Sequence, residues 1–171
     1  MSLPPWREAP ISRDQNRKGF DCGDQDLNRF LRDHARQNHE QGASKTFVAL
    51  GEDETSVLGF YSLSPVSVTY ASAPATVTRG LPRYDVPMFR LGRLAVDKAY
   101  QGMGMLGGQL LLCAGRRCLR VAEDVGGVAL LIDAKSDRVA RWYMSFGAVA
   151  LEDRPLTLVL PLATVRRALE S

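Results

Sequence analysis

Leu94-Ala95-Val96-Asp97-Lys98-Ala99-Tyr100-Gln101-Gly102-Met103-Gly104-Met105-Leu106-Gly107-Gly108 decides how the rest of the chain is read. Phe89–Val96 suits a strand, with apolar Leu91, Leu94 and Val96 interrupted by Gly92. Residues 107–125 suit a helix, with an apolar stripe of Leu110, Leu111, Ala114, Cys118, Val121 and Val125 closed by Gly126-Gly127. Between them lies a glycine-rich turn. Glycine permits close backbone approach and positive φ. The free N–H groups of a first helical turn then face whatever occupies the turn, an arrangement that suits a phosphate or diphosphate. No Gly-Lys-Ser/Thr follows, so this is not a Walker loop. The glycine spacing, and the lack of an acidic strand end about 20 residues on, exclude a dinucleotide fingerprint. Taken alone, the cluster reads equally as a tight strand–helix turn.

Working outward, residues 1–19 read as an irregular segment with prolines and mixed charge. Asp21 or Asp24 can cap a helix in which Leu27, Phe30, Leu31 and Ala35 recur, with Gly42 as its stop. Arg29, Arg32 and Arg36 fall on one side of that helix. Lys45–Leu50 and Ser56–Ser64 read as a hairpin, with Val66–Tyr70 extending the sheet. Residues 71–87 read as a long loop with room for a helical turn. Val128–Ala134 is apolar enough for a strand covered on both faces. Asp137–Phe146 is a short helix opened by Ser136 and closed by Gly147. Ala148–Leu151 and Leu156–Leu162 then end the chain as strands. The expected fold class is α/β (α+β), a single domain over 1–171.

The 171 residues carry 22 Lys and Arg against 19 Asp and Glu, a net charge of +3. This permits an anionic partner without requiring one. No apolar run is long enough to span a membrane, and the first ten residues lack a secretory pattern. Three cysteines suit neither a disulfide framework nor, with only two histidines, a zinc site. The chain therefore reads as cytoplasmic, with no metal.

Several motifs resemble one superfamily together. Gln101 and Gly104 resemble the acyl-coenzyme A loop of GNAT N-acetyltransferases, Gln/Arg-x-x-Gly-x-Gly/Ala. Ser136 to Tyr143, followed by Phe146-Gly147, resembles that superfamily's tyrosine-bearing helix. Phe20-Asp21-Cys22-Gly23, Gly42–Val48, Gly92–Asp97 and Leu156-Thr157-Leu158 narrow the resemblance to acetyltransferase toxins of type II toxin–antitoxin modules. One departure is Leu106 at the last Gly/Ala position, with Gly107 one place late, as if one residue were added within Met105–Leu106. Another is Ser136 where many relatives carry Asn; its hydroxyl can cap a helix or reach a pantetheine amide.

The resemblance implies a GNAT fold, a mixed sheet of six to seven strands flanked by helices, with acetyl-coenzyme A as cosubstrate. It implies that the main chain of Leu94, Ala95 and Val96 pairs with the pantetheine arm like an added strand. The amides of Gln101, Gly102, Met103, Gly104, Met105, Leu106 and Gly107 would hold the diphosphate, and Ser136 would complete the donor site. Tyr143 would protonate the leaving thiolate, since a phenol (pKa near 10) is a weaker acid than a thiol (near 8.5). The substrate class implied is aminoacyl-tRNA, acetylated on its α-amine so that translation stops. Arg29, Arg32, Arg36, Arg90 and Arg93 are the candidate tRNA phosphate contacts. The implied partners are a ribbon-helix-helix antitoxin and a second copy in a homodimer. Two other readings stand beside this one: a GNAT enzyme acting on a small amine or protein N-terminus, and a non-catalytic binding module with a loop spoiled by Leu106.

Overall fold

The computed structural model describes residues 2–103 and 105–171. β1 (Arg7–Pro10), β2 (Lys45–Leu50), β3 (Val57–Val68), β4 (Val86–Val96), β5 (Ala129–Asp133), β6 (Val149–Leu151) and β7 (Arg154–Pro161) form one seven-stranded sheet. Its order is β1-β2-β3-β4-β5-β7-β6. β4 and β5 run parallel, with Arg90 opposite Leu131, while β2–β3 and β5–β7 are antiparallel. The helices are α1 (Gln25–Arg29), α2 (Ala35–Gln41), α3 (Ala75–Thr78), α4 (Leu106–Val125), α5 (Asp137–Met144) and α6 (Leu162–Glu170). The expected mixed sheet flanked by helices is present.

Two compact units are distinguishable. The first comprises the chain up to Ser64 with Arg93–Leu111. Its core holds Phe20, Phe30, Leu31, Val48 and Phe60, with Phe20 edge-on to Phe60 at 5.5 Å between ring centroids. Each such side chain contributes about 1.5–3 kcal/mol through burial. Asp24 opens α1 by accepting from the N–H groups of Asp26 (2.9 Å) and Leu27 (3.2 Å). A π-helical turn, Phe30–His34, joins α1 to α2. Arg17 Nη1 donates to the carbonyls of Leu31 and Arg32 there, which serves acceptors in the widened turn. Gly42 ends α2 at φ 81°.

The second unit comprises Pro65–Gly92 and Leu112–Ser171. Val68, Val86, Met88, Leu131, Leu151 and Val159 form its core.

Three sequence expectations are corrected. The segment read as irregular contains β1, whose Arg7–Pro10 pairs with Phe47–Leu50. The chain does not end on a strand: α6 follows Pro161, and Leu162 and Val165 are its buried face. Those residues lie three apart, but Leu162 also continues the apolar run of β7, which hides the start of the helix. Val121 and Val125 do not belong to the buried stripe of α4, being 41% and 75% exposed.

Candidate active site

The glycine-rich turn belongs to the first unit. Asp97 ends β4: its N–H donates to the Leu58 carbonyl (2.9 Å), and its Oδ1 accepts from the Ala99 N–H (2.9 Å). That contact caps a 3₁₀ turn at Lys98–Tyr100. The chain then passes exposed Gln101 and Gly102, the latter at φ 79°, a conformation glycine adopts without penalty. Met103 donates its N–H to the Tyr100 carbonyl at 3.3 Å. Gly104 lies outside the described residues. Met105 stands at φ 57° and is 70% exposed, so it is not local packing. Its carbonyl accepts from the Gln109 N–H at 3.0 Å, the opening bond of α4.

Leu106 is the first residue of α4 and is 1% exposed. Its side chain is core. A Cβ on Gly59 of β3 would stand 3.5 Å from Leu106 Cδ2, 2.8 Å from Leu110 Cδ1 and 2.9 Å from the Ala95 carbonyl oxygen. Gly59 therefore permits the close approach of β3, β4 and the start of α4, a requirement not visible in the sequence. The Leu106 side chain thus lies in the core, and the positive φ of this stretch falls on Met105.

Two observations bear on whether a phosphorylated thioester donor fits. The β4–β5 register covers Phe89–Leu91, and among the described residues it does not continue through Leu94, Ala95 and Val96. That main chain is available on one edge for an added strand. The cap position of α4 is held by Met105, whose side chain has no oxygen to offer the first-turn N–H groups. Both suit an extended amide-bearing arm followed by an anion.

Tyr143 belongs to the second unit, on α5. Ser136 Oγ accepts from the Val139 N–H at 3.2 Å, so the hydroxyl serves as the helix cap. Tyr143 is 6% exposed and packs against Trp142, with ring centroids 4.9 Å apart and edge to face. Burial alone pushes the phenol pKa well above its ordinary value. The hydroxyl is thus a proton donor at neutral pH. His34 is exposed. His39 Nδ1 accepts from the Thr46 N–H at 2.9 Å, and burial lowers its pKa, which makes it a neutral structural residue. Cys118, 1% exposed, has its thiol pushed up to about 12 by burial.

The arginines are less free than their spacing suggests. Arg29 pairs with Asp26 (3.6 Å), Arg32 with Asp33 (3.1 Å) and Arg36 with Glu40 (2.8 Å). The π-helical turn also breaks the regular helix that placed them on one side. In the second unit Arg90 pairs with Asp133, which also accepts from Thr157 Oγ1. In the first, the Arg93 guanidinium lies 3.7 Å from the centroid of the Phe30 ring.

Sequence reasoning missed a polar cluster in the first unit. Asp21 Oδ1 accepts from the Gly23 N–H (2.9 Å) and from Asn28 Nδ2 (3.0 Å), while Oδ2 meets Lys98 Nζ at 3.0 Å. Gln101 Nε2 donates to the carbonyls of Cys22 (3.0 Å) and Val96 (2.8 Å). The sequence offers Asp21 of the Phe20-Asp21-Cys22-Gly23 motif as a candidate helix cap, but Asp24 takes that role and Asp21 binds Asn28 and Lys98. In the second unit a cavity of about 630 Å³ lies along Ala71–Ala75 and Val149–Asp153, and no predicted site residue lines it. Among the described residues no group of three or more His, Cys, Asp or Glu could hold a metal ion. Among them, too, no helix is long and apolar enough to cross a membrane.

No family model matches the chain. A tRNA-acetylating toxin of Mycobacterium tuberculosis (strain ATCC 25618 / H37Rv) is 39% identical over 147 residues, covering 86% of each chain. Among solved structures, AtaT complexed with acetyl-methionyl-tRNAfMet superposes with a TM-score of 0.88 at 25% identity, over 96% of this chain and 99% of that one. AtaTR bound with AcCoA gives 0.82 at 26% identity, over 96% and 98%. The passage from β4 through a glycine-rich turn into α4 thus lies in a chain that matches these proteins almost end to end. The chain belongs to the tRNA-acetylating toxins, acetyltransferases of the GNAT type.

Proposed function

We propose that this protein transfers the acetyl group of acetyl-coenzyme A to the α-amine of aminoacyl-tRNA and thereby blocks translation. The observation that carries the donor side is the turn into α4, where the β4–β5 register stops at Leu91 and a glycine-rich turn leads to a helix preceded by Met105, a residue with no side-chain oxygen. The acceptor side rests on the relatives, one named for acetylating tRNA and another solved with an acetylated aminoacyl-tRNA.

In this reading the main chain of Leu94–Val96 aligns the pantetheine arm, and the amides from Gln101 to Gly107 hold the diphosphate. Ser136 lends its hydroxyl proton to an arm amide while its oxygen caps α5. The amine attacks the thioester carbonyl carbon, the C–N bond forms, and the C–S bond breaks. Tyr143 gives its proton to the departing thiolate, and the proton lost from the ammonium group is matched by one that returns to Tyr143 through solvent. No strong base is required, since an α-amine has a pKa near 8 and esterification lowers it further. The protein's main contribution is then the alignment of two reactants.

For tRNA, we propose that Arg29 and Arg32, both exposed, exchange their carboxylate partners for phosphates. Surface ion pairs contribute about 0–1 kcal/mol and are easily replaced. Arg36, Arg90 and Arg93 are proposed as further contacts, with Arg93 presenting its guanidinium from the Phe30 face. A cytoplasmic homodimer restrained by a ribbon-helix-helix antitoxin completes the proposal.

The test is acetylation of a total charged-tRNA pool with purified protein and acetyl-coenzyme A, read by mass spectrometry of the released amino acids. N-acetylated amino acids are expected. An unmodified pool, alongside acetylation of free amines or protein N-termini, would replace this reading with the small-acceptor one.

A further inference from the structure

Resting on the reading of the 101–107 turn as the donor site, we infer that the Phe20–Gly23 turn is a strut for that site, with Asp21 and the Gln101 side chain as its positioning residues. The two stretches lie 79 positions apart, as counted between Gln101 and Cys22, yet they are joined at four points. The Asp21 N–H donates to Asp97 Oδ2 (3.0 Å), and the Lys98 N–H donates to the Asp21 carbonyl (2.8 Å). The Asp21 carboxylate meets the Lys98 ammonium (3.0 Å), and Gln101 Nε2 reaches the Cys22 carbonyl (3.0 Å). The turn itself is held from behind, since Asn28 donates to the Asp21 carboxylate and its Oδ1 accepts from the Cys22 N–H (2.9 Å).

The consequence is geometric. The first residue of the glycine turn, Gln101, spends its side chain on two carbonyls, one at the end of β4 and one in the strut. The onset of the turn is thereby fixed relative to both. Met105, four positions on, has a positive φ, a conformation that costs a non-glycine residue and needs support from its surroundings. The Gly23 N–H, then Asn28 and Lys98, hold the Asp21 carboxyl down to about 2, so it stays ionised throughout the working pH range. A fixed turn meets a diphosphate without first losing conformational freedom, which raises donor affinity. These residues touch no reacting atom, so their effect belongs to donor binding and not to the chemical step.

Calorimetric titration with acetyl-coenzyme A tests the inference on the parent, Asp21→Ala, Asp21→Asn and Gln101→Met, together with steady-state kinetics. Loss of a charge-assisted or paired hydrogen bond from the strut is expected to raise the acetyl-coenzyme A Kd about tenfold in Asp21→Ala and Gln101→Met. Asp21→Asn keeps one acceptor oxygen and should recover part of that loss. The KM for acetyl-coenzyme A should rise in step, with the KM for aminoacyl-tRNA unmoved and turnover at saturating donor changed far less. A merely destabilised protein would lose active fraction, and so turnover, without a shift in KM. If Asp21→Ala fails to fold, exposed Gln101→Met decides. Folded variants that bind donor as tightly as a binding-competent parent would overturn the strut alone. A parent that binds no acetyl-coenzyme A would overturn the donor site and the strut with it.

Discussion

Two strand-to-helix turns of this chain solve the same local problem in opposite ways. At the entry to α5, Ser136 supplies an oxygen to the Val139 N–H, so part of the first-turn requirement is met within the chain. At the entry to α4, Met105 supplies none, and its backbone stands at φ 57°. Single left-handed residues other than glycine cost roughly 1–2 kcal/mol. The first turn carries its own side-chain acceptor and precedes a buried phenol; in the proposed reading the amides of the second serve an outside anion. In the proposed reading, a helix start preceded by a non-glycine residue at positive φ is organised for a ligand and not for its own stability.

Changes at the two turns should therefore separate chemistry, stability and donor affinity. The largest effect is expected from Tyr143→Phe. It removes a proton donor, so kcat should fall about 10²–10⁴-fold while the Kd for acetyl-coenzyme A stays near the parent value, as rapid-quench turnover and calorimetry would report. Retained turnover would remove the phenol from the reaction. Next comes Leu106→Ala, which should cost about 2–5 kcal/mol in denaturant unfolding, as truncation of a fully buried leucine does. A neutral result would return Leu106 to the loop. Met105→Asp places a carboxylate beside the first-turn N–H groups of α4. It should add about 1 kcal/mol of stability and, by filling the anion position with a carboxylate, weaken donor binding at least about tenfold. Ser136→Ala should lose about 1 kcal/mol of stability from the α5 cap. A stability gain in Met105→Asp without loss of donor binding would break the comparison.

The pH dependence sharpens it further. Tyr143 is raised by burial, so its neutral form is favoured in the fold. Its contribution to stability is fully present below the unfolded phenol pKa near 10 and is lost as pH rises above it towards the higher folded value. The activity profile should accordingly climb as the esterified α-amine deprotonates below about pH 8 and remain flat to about pH 10. A fall between pH 8 and 10 would mean that the phenol ionises in its ordinary range.

Much of this organisation was legible in the sequence. The Lys45–Leu50 strand, the α5 cap at Ser136 and the passage from β4 through glycines to α4 follow from alternation, capping chemistry and helical spacing. Other features depend on partners distant in the chain. β1 is four residues long and pairs across to β2, so its local pattern carries no signal. α6 was hidden because Leu162 continues the apolar run of β7, and only Pro161 marks the change. The Gln101–Cys22 contact joins two loops, neither of which shows periodicity. Leu106 misled for a related reason: a leucine at a glycine position reads as an obstruction, whereas the close approach at Gly59 gives that side chain a place in the core.

The central claim is that main-chain N–H groups of the turn into α4 grip the donor's diphosphate. Titration of ¹⁵N-labelled protein with coenzyme A, followed by amide chemical shifts, tests it most directly. The account predicts that the largest shifts fall on Gly102, Met103 and the first turn of α4 at Leu106, Gly107 and Gly108. Saturable binding that leaves those amides unmoved and perturbs residues elsewhere would contradict it.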